Sequence, residues 1–265
     1  MKLLRTIFFI LLISMVFISC EKEIDLDLKE SAQLFVVEGI VHDTLGDNFV
    51  AISKTRVYDD NGAIEHVSNA VVQISDGLGG VFDLIEVDTI PGYYTSSSLI
   101  GVAGRNYDLS VNINGNIIRG SSVMNPRIEI DSLTYNEIPN FGGDDEPKYS
   151  ILCHFTDPLN VINFYRMKSF IGKEQLDGYV NWNDDAIDGT STGLPVFNAT
   201  YLAGDLARIQ LLSVDEPNFR YFFGLSLSQE GEVPGNPESN LSGENVVGYF
   251  GAYAKSEVTM IIGEE

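Results

Sequence analysis

The stretch Tyr107–Val123, YDLSVNINGNIIRGSSV, predicts an antiparallel β-hairpin. Apolar and polar residues alternate before Asn114, as they do in a strand with one buried face. Asn114-Gly115 follows, and a type I′ turn needs positive φ at both central positions, which Asn and Gly adopt most readily. The stretch therefore predicts two strands, Tyr107–Ile113 and Asn116–Val123, joined by a two-residue turn.

Further β-rich runs precede this hairpin and are separated by Gly, Asn, Asp and Pro turns; they are Leu34–Val41, Phe49–Arg56, Ala70–Ser75, Val81–Glu86 and Gly92–Ser97. With the hairpin they give seven strands, a number typical of an immunoglobulin-like or transthyretin-like sandwich. Residues 33–125 are therefore predicted to form a β-sandwich domain. Its boundary falls at Asn125-Pro126, because the residue before Pro avoids the helical region.

Residues 126–265 are predicted to form a second β-rich domain with one short helix, so the whole chain is predicted to be mostly β. Its predicted strands are Ile128–Leu133, Tyr149–Phe155, Asn163–Phe170, Asp205–Leu212, Val246–Tyr253 and Glu257–Ile262. The helix begins after Asp215, which can serve as its N-cap, and Pro217 lies in its first turn. Apolar residues follow at helical spacing: Phe219, Phe222, Phe223 and Leu227.

The charge balance excludes several classes of protein. The chain has 38 acidic and 16 basic residues and a formal net charge of −22. A nucleic-acid binder needs a basic surface, so no nucleic-acid partner is expected. A disulfide-stapled scaffold needs many cysteines, whereas this chain has two. Cys20 is predicted below to carry lipid, which leaves Cys153 without a partner for a disulfide. Cys153 is therefore expected to be a small buried apolar residue on a strand.

The N-terminus has the features of an export signal. Lys2 and Arg5 precede an apolar run over residues 7–18 that is too short to span a bilayer. Ser19-Cys20 then resembles a bacterial lipobox, in which the peptide is cleaved before Cys and the Cys is lipidated. Residues 1–19 are therefore predicted to be a lipoprotein signal peptide and Cys20 the lipidation site. The alternative is a simple signal peptide followed by an unmodified Cys.

Residues 20–32 are predicted to be an acidic tether that follows the lipidated Cys20. Charged residues near a terminus rarely pack, so the tether is expected to be solvated. An acidic stretch in this position also resembles the signal for display on the outer leaflet in Bacteroidota. The predicted location is the outer membrane, held by the lipid at Cys20 and facing the extracellular side.

Four segments together resemble the Bacteroidota outer-membrane lipoproteins of domain-of-unknown-function family four-two-four-nine; they are Cys20–Leu26, Val36–Val41, Val67–Asp76 and Asn245–Tyr253. The resemblance implies a β-sandwich followed by a second β-rich domain. The resemblance also implies association with TonB-dependent outer-membrane transporters. It brings no catalytic residue.

The residues that could hold a metal form no convincing site, so neither a metal nor another cofactor is predicted. His42 and His66 have no second ligand at a suitable spacing, and Cys153 and His154 point to opposite faces of a strand. Asp184, Asp185 and Asp188 form an acidic loop that superficially resembles a calcium loop. Ala186 interrupts the alternating ligand pattern, which favours a solvated turn.

Trp182 lies beside this acidic loop and has two interpretations. It could be a platform on which a sugar stacks, with Asp184, Asp185 and Asp188 as further candidate ligand-binding residues. It could also be a half-buried anchor at the end of a strand, and a single Trp is usually recruited to packing.

Three tripeptides resemble the O-glycosylation acceptor motif of exported Bacteroidota proteins. Their acceptor residues are Thr44, Thr89 and Ser132. The first two are expected at strand ends or turns, where a glycan is tolerated. Ser132 lies within a predicted strand.

Three functions are consistent with these observations. The first is a non-enzymatic accessory lipoprotein that captures a ligand for a TonB-dependent transporter, and a large flat apolar patch would favour it. The second is a stand-alone glycan-binding surface module, which an exposed aromatic row beside Trp182 would favour. The third is an enzyme, which two close, desolvated carboxylates in a deep cleft would favour.

Overall fold

The computed structural model describes residues 33–56, 62–139, 146–229 and 237–263. The predictions for residues 1–19, for Cys20 and for the whole tether, residues 20–32, lie outside the described residues. Gln33–Glu265 form one compact unit. This unit is mostly β with one helix in its described part, which confirms the predicted fold class.

The strands and the helix are as follows: β1 (Phe35–His42), β2 (Phe49–Lys54), β3 (Val71–Ser75), β4 (Val81–Glu86), β5 (Tyr93–Thr95), β6 (Asn106–Ile113), β7 (Asn116–Val123), β8 (Ile130–Glu137), β9 (Lys148–Thr156), β10 (Phe164–Ile171), β11 (Glu174–Gln175), β12 (Val180–Asn183), β13 (Ser191–Pro195), β14 (Tyr201–Leu202), β15 (Leu206–Val214), α1 (Glu216–Gln229), β16 (Leu241–Ser242) and β17 (Val246–Ile261).

Two sheets contain these strands. The larger runs in the order β11-β10-β15-β17-β1-β2-β5-β4-β3-β6-β7-β16, with β12 paired to β10. The smaller runs β13-β9-β14, with β8 also paired to β9. Strands β1 and β17 pair in parallel, so the first strand and the last lie side by side in the middle of the larger sheet.

The predicted hairpin is confirmed. Strands β6 and β7 pair in antiparallel fashion, with Ile113 opposite Asn116. Asn114 and Gly115 have φ values of 52° and 94°, as a type I′ turn requires. Tyr107 and its alternating apolar neighbours are buried.

The end of the chain differs from the prediction of two closing strands. Val246–Ile261 form the single strand β17, which pairs with β1 through its first half and with β15 through its second half. The prediction was wrong because Lys255 and Ser256 interrupt the apolar pattern. In the structure both remain in the ladder with β15, and Ser256 is buried.

Apolar side chains form three core clusters. The first lies among β1–β7, around Val37, Ile74 and Leu109, and β17 contributes Phe250 and Ala252 to it. The predicted domain boundary after Asn125 stays a prediction. The second cluster lies between the two sheets; its members include Ile151, Cys153, Phe155, Tyr165, Met167, Ile209 and Leu211.

The third core cluster lies on the opposite face of the larger sheet, under α1. It contains Ile40, Leu212, Tyr249 and Tyr253 of the sheet and Phe222 of the helix. Among the described residues, none of the helical segments combines the length and the hydropathy of a transmembrane helix.

The predicted start of α1 is confirmed. Oδ1 of Asp215 accepts hydrogen bonds from the backbone N–H of Asn218 at 3.1 Å and from its side-chain amide at 2.6 Å. The other oxygen, Oδ2, accepts hydrogen bonds from Ser122 and from the backbone N–H of Val123 in β7. One carboxylate therefore caps the helix and attaches it to β7.

Candidate functional site

A cleft of about 400 Å³ runs along the outer side of β12. Within the described residues β12 pairs only with β10, so it is an edge strand of the larger sheet. We call this site the Trp182 cleft; it is lined by Gly178, Tyr179, Val180, Asn181, Trp182, Phe197, Asn198, Phe223, Ser226 and Gln229.

The alternation of β12 explains which side chains reach the cleft. Val180 and Trp182 point to the second core cluster, and Tyr179 packs against α1 on the other face. Because the cleft follows the strand edge, residues of both faces line it. Trp182 is half-buried, so it packs against the core and also contributes to the cleft surface.

Two further aromatic rings lie on the cleft surface. The Phe197 side chain is 73 % exposed, and its ring centroid lies 5.6 Å from that of Trp182. Its neighbours Val196 and Ala199 are buried, which turns Phe197 outward. Phe223 of α1 is 46 % exposed. The aromatic surface beside Trp182 is therefore assembled from a strand, a loop and a helix.

The polar lining of the cleft is made of neutral groups, chiefly amides. Asn198 is fixed in place, because it accepts a hydrogen bond from Ser169 at 3.0 Å and donates one to the carbonyl of Asp177 at 2.9 Å. Within the described residues, the buried amide of Asn181 and the indole N–H of Trp182 have no hydrogen-bond partner. Aromatic surface with a few convergent polar groups is the usual composition of a ligand site.

The acidic loop lies next to the cleft in sequence but forms a separate group. Carboxylate oxygens of Asp157, Asp184 and Asp188 all lie within 4.8 Å of one another, whereas Asp185 is not part of this group. Three carboxylates with hard oxygen donors could hold a divalent cation such as Ca²⁺. Asp157 was missed by sequence reasoning, because it lies far from the loop in the chain and belongs to no motif.

Hydrogen bonds give these carboxylates a structural role. Asp157 accepts hydrogen bonds from the Tyr165 hydroxyl and from the backbone N–H of Gly189. The pKa of Tyr165 is raised by burial and by this hydrogen bond. Asp184 and Asp188 accept backbone N–H groups of the segment that precedes β10, at 2.8 and 2.7 Å. The close carboxylates thus join two loops.

Cys153 and His42 are buried side chains with strongly shifted pKa values. Burial raises the pKa of the Cys153 thiol to about 12. Burial, with the charges of Lys168 and Lys255, lowers the pKa of His42 to about 4. Both groups are therefore neutral at pH 7, and Cys153 packs as the predicted apolar residue.

The three candidate glycosylation residues lie at different places on the surface. Thr44 is half-buried in the loop after β1, where its hydroxyl donates to Asp47 at 2.9 Å. Thr89 is exposed in the turn between β4 and β5. Ser132 is exposed in the middle of β8, as its position in a predicted strand implied.

Comparison with known proteins gives a family and no relative of established activity. A search of the curated proteins finds no match. Residues 21–259 match the family described as "domain of unknown function (DUF4249)". This span includes α1, the whole Trp182 cleft and every strand except the last two residues of β17, so the chain belongs to the family of domain of unknown function DUF4249.

Proposed function

We propose that this protein is a non-enzymatic surface lipoprotein that captures a saccharide in the Trp182 cleft. The observation that carries the proposal is the exposed aromatic surface of Phe197 and Phe223 beside the half-buried Trp182. A contiguous apolar patch that is exposed to water marks an interaction site, and these rings line one cleft. Asn198, Ser226 and Gln229 line the same cleft and bring polar side chains to it.

The cleft suits a saccharide because a sugar ring has both an apolar and a polar side. The C–H groups of one ring face can pack on an aromatic ring, while the hydroxyl groups bond to amides. Amides both donate and accept, as hydroxyl groups do. In the described residues, the acidic group of Asp157, Asp184 and Asp188 is separate from the lining and is given no role in the proposal.

We further propose that the protein is anchored in the outer membrane through lipid on Cys20, faces the extracellular side and serves a TonB-dependent transporter. The lipobox, the acidic tether and the family support this part of the proposal. Val71 and Ile85 lie side by side on the outer face of β3 and β4, 61 % and 69 % exposed, and offer an apolar surface for docking on the transporter; the bonded pair Gln73–Asp83 separates them from the exposed Val81. The second candidate is a stand-alone glycan-binding module.

A binding experiment tests the cleft. The full-length protein in detergent is screened on a glycan array, and the affinity for a bound glycan is measured by calorimetry. We expect Phe197→Ala to weaken binding by about threefold to tenfold, the range of a single aromatic contact. Leu78→Ala removes an equally exposed apolar side chain in the turn between β3 and β4 and serves as the control. Failure of every saccharide to bind would exclude the proposed function.

A second experiment separates the accessory protein from the stand-alone module. The lipidated protein is purified by affinity from detergent-solubilised native outer membranes. A stoichiometric TonB-dependent receptor in the eluate would support the accessory role, and its loss in a Val71→Asp, Ile85→Asp variant would locate the contact. Recovery of the lipoprotein alone, with an intact receptor in the flow-through, would favour the stand-alone module.

A further inference from the structure

A buried cation lies directly behind the wall of the Trp182 cleft. Arg166 of β10 is the cross-strand partner of Asn181, which lines the cleft. The guanidinium carbon lies 3.5 Å from the ring centroid of Phe222 and 5.5 Å from that of Tyr179. Tyr179 also lines the cleft, so a single layer of side chains separates Arg166 from the ligand space.

Two nitrogens of the Arg166 guanidinium lack a hydrogen-bond partner in the described part of the chain. The residue is only 6 % exposed, yet its Nε and Nη1 have no hydrogen-bond partner among the described residues. Contact with two aromatic rings offsets part of the free energy of burying the charge. A buried cation is stable when a hydrogen-bonded anion accompanies it, and here none does within the described part of the chain.

The amide of Asn181 is in the same condition. Its Nδ2 and Oδ1 are buried and have no partner among the described residues. Asn181 can therefore rotate without losing a hydrogen bond. Such a rotation would open a path from the cleft to Arg166, and the amide N–H groups would then point to the same place as the guanidinium.

A second cation strengthens the positive charge behind Tyr179. Lys168 lies two residues from Arg166 on β10, so the two side chains share a face of the sheet. Burial and the charges of Arg166 and Lys255 lower the pKa of Lys168 to about 8. Two carboxylates offset part of this charge without bonding to either side chain. Asp47, which is bonded to Lys255 at 2.7 Å, raises the pKa of Lys168, and Glu38 interacts with Arg166 through space but has no hydrogen bond to it among the described residues.

We propose that Arg166, assisted by Asn181 and Lys168, forms an anion subsite of the Trp182 cleft, and that the captured saccharide is acidic. The anionic group is a carboxylate or a sulfate, whose oxygens would accept the unfilled N–H groups of Arg166 and Asn181. This inference rests on the proposed function, since it names the class of saccharide that the same cleft binds. It also gives a role to a concentration of positive charge in a chain with 38 acidic residues.

Three related ligands test the subsite on the full-length protein. They are a tetramer of galacturonic acid, the same tetramer with its carboxyl groups reduced to alcohols, and the reduced tetramer after sulfation. We expect the uronate or the sulfated tetramer to bind at least about tenfold more tightly than the neutral one, as a charge-assisted hydrogen bond implies. The uronate and sulfate arms identify which anion the subsite accepts.

Two variants connect this preference to the proposed residues. Lys168→Gln should reduce the preference for the acidic tetramer several-fold, while Arg166→Gln should abolish it. Lys54→Gln, which removes a surface cation paired with Glu65, should leave the preference unchanged. Thermal unfolding of each variant shows whether it is folded, and Lys168→Gln remains a test if Arg166→Gln does not fold.

The outcomes separate the subsite from the cleft. Equal affinity for the neutral and acidic tetramers, with both lost in Trp182→Ala, would overturn the anion subsite and leave saccharide capture intact. A preference for the acidic tetramer that survives both variants would also overturn it. Absence of all saccharide binding would overturn the proposed function and the subsite together.

Discussion

The hydroxyl of Ser122 in β7 donates a hydrogen bond of 2.7 Å to Oδ2 of Asp215, the residue that caps α1. The same hydroxyl accepts the backbone N–H of Ala252 in β17 at 2.9 Å. Strand β7, strand β17 and the N-terminus of α1 therefore meet at one buried side chain. The position of α1, and with it Phe223 in the Trp182 cleft, depends on this junction.

Replacing Asp215 should destabilise the whole unit. Asp215→Ala removes the helix cap and leaves the Ser122 hydroxyl and the backbone N–H of Val123 without their acceptor. We expect a loss of about 2–4 kcal/mol in the free energy of unfolding, measured in urea. Glu216→Ala, which removes only an exposed pair with Arg220, should cost no more than about 0.5 kcal/mol. Equal losses would show that the junction is not what stabilises α1.

Gly248 is required for the parallel pairing of β1 and β17. Its φ is 114°, and a Cβ there would overlap the carbonyl oxygen of Val37. Gly248→Ala should therefore lower the free energy of unfolding by about 3 kcal/mol or more. Gly46 has a φ of 90° but open space around it, so Gly46→Ala isolates the backbone strain and should cost about 1 kcal/mol. Similar losses in both variants would exclude the steric explanation.

His42 should make the unit less stable in mild acid. Its pKa is about 4 in the folded chain, below the ordinary value of about 6.5. Between these values the unfolded chain binds a proton that the folded chain does not, so stability falls as pH falls from about 6.5 to about 4. The slope should approach about 1.4 kcal/mol per pH unit. Urea unfolding at several pH values measures it, and His42→Gln should remove this contribution; an unchanged slope would contradict the assignment.

Cys153 should resist alkylation while the chain is folded. Burial raises its pKa to about 12, so the reactive thiolate is nearly absent below pH 9, and the side chain has no exposed surface. Iodoacetamide at pH 8 should modify the Cys153 peptide, followed by mass spectrometry, at least about a hundredfold faster in urea than in buffer. Rapid labelling in buffer would show that the second core cluster opens readily.

Local signals in the sequence were sufficient for several elements. Asn114-Gly115 fixed the hairpin because the turn needs two residues with positive φ, and Asp215 with Pro217 fixed the start of α1. Both are interactions between near neighbours in the chain. The single strand β17 was not predicted, because Lys255 and Ser256 interrupt its apolar pattern. Pairing with β15 keeps both residues in the strand, and this long-range interaction has no local signal in the sequence.

The candidate site could be predicted only in part for the same reason. Trp182 was singled out, but Phe197 follows apolar residues and resembles a core residue in sequence. Phe223 has the spacing of a buried helix face, yet it lies on the cleft. Arg166 lies in an apolar strand, and nothing local indicates that its guanidinium lacks a partner. Side chains from three distant segments form the cleft, so no single segment of the sequence predicts it.

The central place of β1 in the larger sheet has a mechanical consequence. Under the proposed anchoring at Cys20, any drag on the protein enters the unit at Gln33 and passes straight into β1. That strand is paired along its length with β17 on one side and with β2 on the other. A pull along its axis loads these hydrogen bonds together in shear instead of opening them one at a time. The strand that would bear the load, β1, therefore lies in the interior of the sheet. Its neighbour β17 would transmit the force to β15 and to the side of the sheet that holds the Trp182 cleft.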